Sequence, residues 1–440
     1  MNHASSAGRQ GAPDRLAART SPSTPAAVVA ALPNGGREQL LPLTSLRFVA
    51  AAMIVLAHSR PHYGFARTWG DPLNLTVAVN FFFVLSGFIL AHAYPSLDDA
   101  GTRRFLVARA ARLWPLHLAT FVLFLPVLYL YAPLMPSSTP VAVPANLAMV
   151  HAWVPFPDSY FSFNPVSWSI STELGLYLLF PLLIRNWRRS WLAKLVLSIL
   201  LFGAMGQLAR WLELPPFEFG QRGADITGLV AVNPLANLYL FVLGMVGCSA
   251  WQYLEPRFRA GVLSATVLEV GVLTFAAWTM SRSDTLTSVL IRAHASAESS
   301  AYSWVPGLPP WSVAFPVLIV VMALRRGLVS RFLSTRAMVL LGEISYAVYL
   351  VHYGIMLGFA YVRPDVAWVP DPAAYGLFWL VVLAAAWVLW RWVECPARIA
   401  IRARWRVHEP ALSSGQWRFV GLALALAAAL IVTLQVATLR

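Results

Sequence analysis

The feature that most limits what this chain can fold into is a succession of apolar runs, each close to the ~20 residues that carry an α-helix across a bilayer. They fall near residues 43–60, 76–94, 113–134, 166–184, 192–211, 229–250, 261–280, 311–325, 337–361, 374–393 and 417–438 of the 440-residue sequence. Hydrocarbon offers no water to satisfy free backbone amides, so such runs close their hydrogen bonds internally as helices. The expected fold is all-α: a polytopic membrane helix bundle of about ten core transmembrane helices plus one extra C-terminal helix. Composition agrees, with 58% hydrophobic and 12% charged residues, about half the charged share of a soluble domain. Pro215, Pro216, Pro306, Pro309 and Pro310 are expected in loops.

A formal charge of +14 suits nucleic acid only if the basic residues share one wet face. Here they cluster between apolar runs, and alternate connections differ sharply in basic content, as the positive-inside rule requires. One set carries Arg103, Arg104, Arg109, Arg112, Arg185, Arg188, Arg189, Arg257, Arg259, Arg325, Arg326, Arg331, Arg336, Arg391, Arg398, Arg402, Arg404 and Arg406; the other is sparse. The alternation predicts a cytoplasmic N-terminus and an extracytoplasmic C-terminus, with lipid rather than nucleic acid as the partner. Residues 1–40, rich in Ala, Ser, Pro and Arg, read as a disordered cytoplasmic tail rather than a cleavable signal peptide. Residues 41–400 form the expected membrane domain, and 401–440 a cytoplasmic linker with the additional helix. Cys248 and Cys395 have no metal-ligand spacing and suggest neither a disulfide nor a metal site.

Ionisable groups within spans are costly and therefore candidates for function, although each alone is as readily a buried polar group paired with a neighbouring helix. The first span holds Arg47 and His58. Eleven residues make about three helical turns and a rise of ~16.5 Å, so an anion binder and a titratable base share one face at different depths. The second contains Ser86 and Gly87, where small side chains permit close approach. Arg104, Arg109 and Arg112 precede the third helix; guanidinium groups there suit phosphates, yet positive-inside anchoring also accounts for them. The fourth opens with Trp168 and places Ser169, Glu173 and Tyr177 on one face, with Glu173 the candidate carboxylate for orienting or charging a histidine. Ser345, Tyr349 and His352 form a one-sided stripe on the ninth. Glu394 reads as a helix-end partner of Arg391 or Arg398, and the isolated Glu269 as structural.

In order and spacing these residues resemble the acyltransferase 3 family of bacterial membrane acyltransferases. Arg47 and His58 look like its Arg-x10-His motif, and the run from Phe82 to Phe88 like its FFxLSGF element. Arg109 to Arg112 with Pro115 resembles its RxxR segment, Trp168 to Pro181 its WSxxxE...YLxFP stretch, and Ser345 to His352 its ISYxxYLxH helix. The resemblance covers roughly residues 43–400 and implies a multi-pass protein of the bacterial cytoplasmic (inner) membrane. It departs from the family in its eleventh span and in lacking a following SGNH-type esterase domain. Transfer is then expected to finish within the membrane domain or on a separate protein.

The resemblance implies a donor substrate, acyl-CoA and most readily acetyl-CoA, with no permanently bound cofactor. Its phosphates would lie near Arg109 and Arg112 and its pantetheine arm would extend past Arg47 towards His58. His58 would act as general base on a hydroxyl of a carbohydrate or lipid-linked glycan, with Glu173 orienting it and Ser86, Ser169 or Tyr349 offered to the oxyanion. A transient acyl-histidine is an open variant. A transporter of a glycan or small solute would also use a polar-lined bundle, though no internal repeat is visible, and a non-catalytic scaffold would need no ionisable cluster.

Overall fold

The computed structural model describes residues 39–63, 73–131, 141–218, 223–282, 311–362 and 370–407, which all fall in one compact unit, Asn34–Arg440. The predicted helix near 417–438 and residues 1–38 of the predicted tail lie outside them. Among the described residues there is no β-strand. The helices are α1 (Leu41–Ser59), α2 (Ala78–Ala93), α3 (Asp99–Tyr131), α4 (Ala142–Leu147), α5 (Pro157–Tyr160), α6 (Trp168–Ile184) and α7 (Trp187–Trp211). They continue with α8 (Leu238–Leu254), α9 (Val262–Ser281), α10 (Trp311–Ala323), α11 (Leu328–Leu333), α12 (Arg336–Val362), α13 (Asp371–Leu389) and α14 (Cys395–Val407). Eight are long and apolar enough to cross a membrane, counting α13 and α14 as one continuous stretch, and α8 and α10 are shorter apolar helices. Ten of the eleven predicted spans thus have a helix, and the chain is a multi-pass membrane protein.

Burial sorts the helices into an interior and a lipid-facing shell. The spanning windows of α2, α6 and α12 are 67%, 56% and 56% buried, against 28% for α7 and α9. On the outer helices large apolar side chains such as Leu197, Leu200, Leu263 and Val267 stand exposed, a surface that suits hydrocarbon and would be a liability in water. The polar candidates of the sequence lie mostly on the interior helices α1, α2, α6 and α12.

Glycines set how closely these interior helices approach, because interhelical attraction in a bilayer relies on tight packing rather than on a hydrophobic drive. A Cβ at Gly87 of α2 would overlap the Phe241 carbonyl of α8, and one at Gly244 would overlap the Val84 carbonyl. Further along, Phe88 and His92 meet Trp251, so α2 and α8 run in the same direction. A Cβ at Gly342 of α12 would likewise overlap the backbone of Thr44 in α1. From that contact α1 and α12 run together to His58 and His352.

Two predicted spans need correction. The third helix starts at Asp99 rather than near 113, so Arg103, Arg104, Arg109 and Arg112 are helical and Pro115 lies inside α3. Continuous arginines and alanines favour helix, and the bend at an interior proline does not end it. The sixth span is not one helix: a π-helical turn, Thr227–Val232, is followed by an extended Asn233 and Pro234 before α8 begins at Leu238. Asn233 and Asn237 satisfy the interrupted backbone by donating to Trp153 O, Ala231 O and Asn233 O.

Candidate active site

Continuous helix from Leu41 to Ser59 puts Arg47 and His58 on one rod. At its far end His58 Nδ1 lies 3.0 Å from His352 Nε2, the rings stacked with centroids 5.3 Å apart. His352 is fully buried, and its Nδ1 is 2.6 Å from the Tyr349 carbonyl. Tyr353 presents its ring edgewise to His58 at 5.6 Å. Below the pair, the Tyr349 hydroxyl donates to Val166 O at 2.9 Å and stands 2.8 Å from Ser169 Oγ.

A second group lies deeper along α1. Ser86 donates to Glu173 Oε1 at 2.5 Å, and Tyr177 donates to the same oxygen. Arg47 lies close enough to Glu173, Glu343 and Arg109 to interact electrostatically with them, yet makes no hydrogen bond to the described residues. Arg109 lies over the Tyr177 ring at 5.8 Å.

Arg112 lies over the Tyr346 ring at 5.4 Å, and Tyr346 donates to Leu113 O at 2.8 Å. Arg112 also pairs with Glu394, whose carboxylate is fully buried and receives Arg398 at 3.3 Å. Glu394 closes a π-helical turn, Trp390–Glu394, between α13 and α14. From Arg112 to His58 the result is a polar column threading an apolar bundle.

The structure brings together most of the residues singled out in the sequence. Arg47, Ser86, Glu173, Tyr177 and Arg109 gather at one depth; Ser169, Tyr349, His352 and His58 gather at another. The expected His58–Glu173 contact is not formed, because Glu173 lies at the level of Arg47, about 16 Å down α1 from His58. Ser345 turns back on its own helix, donating to Gly342 O at 2.7 Å. Trp168 packs against Ala152, Tyr160 and Val232, with Phe83 6.3 Å away. Ser86 and Tyr349, offered to the oxyanion, already donate to protein acceptors.

Sequence reasoning missed Tyr353, Glu343 and the Arg112 partnership of Glu394. Tyr353 follows His352 directly, but a lone tyrosine in an apolar helix gives no signal until its ring is seen beside His58. The reading of Glu394 as partner of Arg398 agrees with the geometry. The structural reading of Glu269 does too: its carboxylate accepts the backbone N–H groups of Gly327, Val329 and Ser330 at 2.9–3.2 Å. Among the described residues no cluster of three or more His, Cys, Asp or Glu could hold a metal ion.

The family model described as an acyltransferase domain matches residues 43–391. The acyltransferase MdmB of Streptomyces mycarofaciens is 30% identical over 71% of this chain and 78% of its own length. Nodulation protein 10 of Rhizobium leguminosarum bv. viciae is 25% identical over 50% of this chain and 62% of its own length. Protein 2 in picA locus of Rhizobium radiobacter is 42% identical over 20% of this chain and 44% of its own length. No solved structure matches. The matched span contains the polar column from Arg112 to His58, with Glu394 and Arg398 just past its end, and the chain belongs to the acyltransferase 3 family as a multi-pass membrane acyltransferase.

Proposed function

We propose that this enzyme moves an acetyl group from cytoplasmic acetyl-CoA to a hydroxyl of a carbohydrate or lipid-linked glycan in the bacterial inner membrane, with His58 as general base. The observation that carries this reading is the polar column itself: arginines at one end, a histidine at the other, and hydroxyl and carboxyl groups between. With the N-terminus cytoplasmic, as the arginine distribution suggests, the arginine end faces the donor's compartment. Guanidinium groups there suit the donor phosphates. Arg109 extends that group, while Arg112 and Arg398 are already balanced in part by Glu394. The uncommitted Arg47 suits the polar pantetheine arm on its way towards His58. Glu173, with Ser86 and Tyr177, orders this middle stretch instead of orienting the histidine.

In the chemical step His58 takes the acceptor's O–H proton as the oxygen attacks the thioester carbonyl. The tetrahedral intermediate collapses to the new ester, and the departing thiolate receives the proton from the imidazolium. Atoms and charge balance with no further reactant. The test is acetyl-CoA-dependent labelling of envelope glycan by cells or membranes carrying the His58→Ala variant at normal abundance. Loss of label is expected; retention of full labelling would remove His58 from the chemistry. Labelling that persists when acetyl-CoA is withheld would favour the transporter reading.

A further inference from the structure

We infer that His352 is the positioning residue that fixes the tautomer and ring orientation of His58. The inference rests on the reading of His58 as general base and adds the group through which that base is held. Its ground is a chain of donors and acceptors in which each assignment forces the next. A backbone carbonyl can only accept, so the 2.6 Å contact with Tyr349 O makes His352 Nδ1 the protonated nitrogen. In a neutral imidazole the other nitrogen then carries the lone pair. His352 Nε2 must accept, and the proton in the 3.0 Å contact belongs to His58 Nδ1. His58 Nε2 is left as the basic nitrogen and has no hydrogen-bond partner among the described residues.

Among the described residues nothing else packed on the pair competes for that role. Tyr349 is committed to Val166 O and Ser169, and the neighbouring Ser59 bonds Val55 O and Tyr375. Tyr353 meets His58 only by its ring edge. Among the described residues neither imidazole pairs with a carboxylate or a guanidinium; the polar contact between the rings is their own hydrogen bond.

A neutral histidine here occupies the place that a carboxylate takes in a hydrolase triad. It fixes the tautomer and accepts a stronger hydrogen bond once His58 is protonated, but it supplies no negative charge. The imidazolium is therefore formed transiently and returns its proton to the leaving thiolate. The device is set by packing: His352 lies buried on α12, and its accepted carbonyl is three residues back on the same helix, so the ring cannot turn over without breaking that bond.

The experiment compares full-length His352→Ala, His352→Gln and His58→Ala in native membranes. Two readouts are taken: acetyl-CoA-dependent labelling of envelope glycan across pH, and the rate at which diethyl pyrocarbonate modifies residue 58, read by mass spectrometry. Glutamine keeps an acceptor oxygen for His58 Nδ1–H. The alanine variant should lose about 100-fold in labelling rate, the order general-base catalysis contributes. Its pH profile and the pH dependence of His58 modification should shift together. The glutamine variant should recover most of both. If alanine leaves both profiles unchanged while His58→Ala is inactive, the positioning role is overturned and the general base stands. If glutamine is as impaired as alanine at equal abundance, His352 serves packing and the inference fails. If His58→Ala remains active, the base reading itself fails.

Discussion

At Glu394 two guanidinium groups share one carboxylate that has no solvent exposure. Neutralising it leaves Arg112 and Arg398 uncompensated in a low-dielectric interior, a change that costs about 3–5 kcal/mol when a buried pair is broken. Glu394→Gln should therefore lower the unfolding temperature in detergent markedly, whereas Glu255→Gln at a helix end should leave it nearly unchanged. Beside His58, the Tyr353 hydroxyl makes no hydrogen bond to the described residues, in contrast to Ser86 and Tyr349. With His58 as the proposed base, that hydroxyl is available to donate to charge developing beside it. Tyr353→Phe should slow turnover by roughly the 10²-fold typical of a lost oxyanion donor and leave the KM for acetyl-CoA unchanged, as steady-state labelling kinetics will show. Outside the spans, His151 is fully buried; burial first, and His117 stacked 6.0 Å away second, hold its proton affinity well below the ordinary histidine range. The unfolded chain then takes up a proton that the folded one refuses. The contribution is intact above a pH of about 6.5 and is lost as pH falls below it. A pH series of unfolding temperatures should show this slope, and His151→Gln should flatten it.

Among the elements, α1 and α12 carry His58 and His352, the pair proposed for the chemistry, and owe their closeness to Gly342. A methyl group there would overlap the Thr44 backbone, and neither main chain can give way without moving its helix. Overpacking of this kind costs about 1–3 kcal/mol, and it would also part His58 from His352. Gly342→Ala should reduce glycan labelling more than it reduces abundance. Gly271→Ala, on the lipid-facing α9 with open space around it, should change neither, which separates a local clash from a general effect of replacing glycine. The helices themselves were largely legible in the sequence, because hydrocarbon demands long apolar runs and arginines cluster at alternate ends of them. Helix starts were less so: hydropathy ends at charge, while helix propensity continues through Arg103 to Arg112, and α3 is longer than its apolar part. The break at Asn233 and Pro234 was hidden because its flanks are as apolar as any span. Within the site, residues on one helix could be grouped by spacing, as with Ser169, Glu173 and Tyr177. Partners on different helices could not: His58 and His352 are 294 positions apart, and no spacing rule joins them.

For the whole molecule, the proposed function depends on which end of the column faces the cytoplasm, since on that reading the thioester enters at the arginines. The parallel run of α1 with α12, and of α2 with α8, fits helices of odd and even order crossing in opposite senses. It leaves the absolute direction to the charge distribution, whose physical basis is the retention of Lys and Arg on the cytoplasmic side. Two exposed positions separate the directions: Thr76, just ahead of α2, and Arg104, early in α3. The native cysteines, Cys248 and Cys395, are both buried, and replacing them by alanine gives a clean background. In that background Thr76→Cys should react with a membrane-impermeant maleimide in intact spheroplasts, and Arg104→Cys only after the membrane is opened. The reverse pattern would place the arginine end outside, away from cytoplasmic acetyl-CoA, and would leave the donor route without a source even if His58 proved essential. The expected pattern, joined to loss of glycan labelling in Arg112→Ala at a normal KM for the acceptor, would tie the column's inner end to the donor and its outer end to the hydroxyl that receives the acyl group.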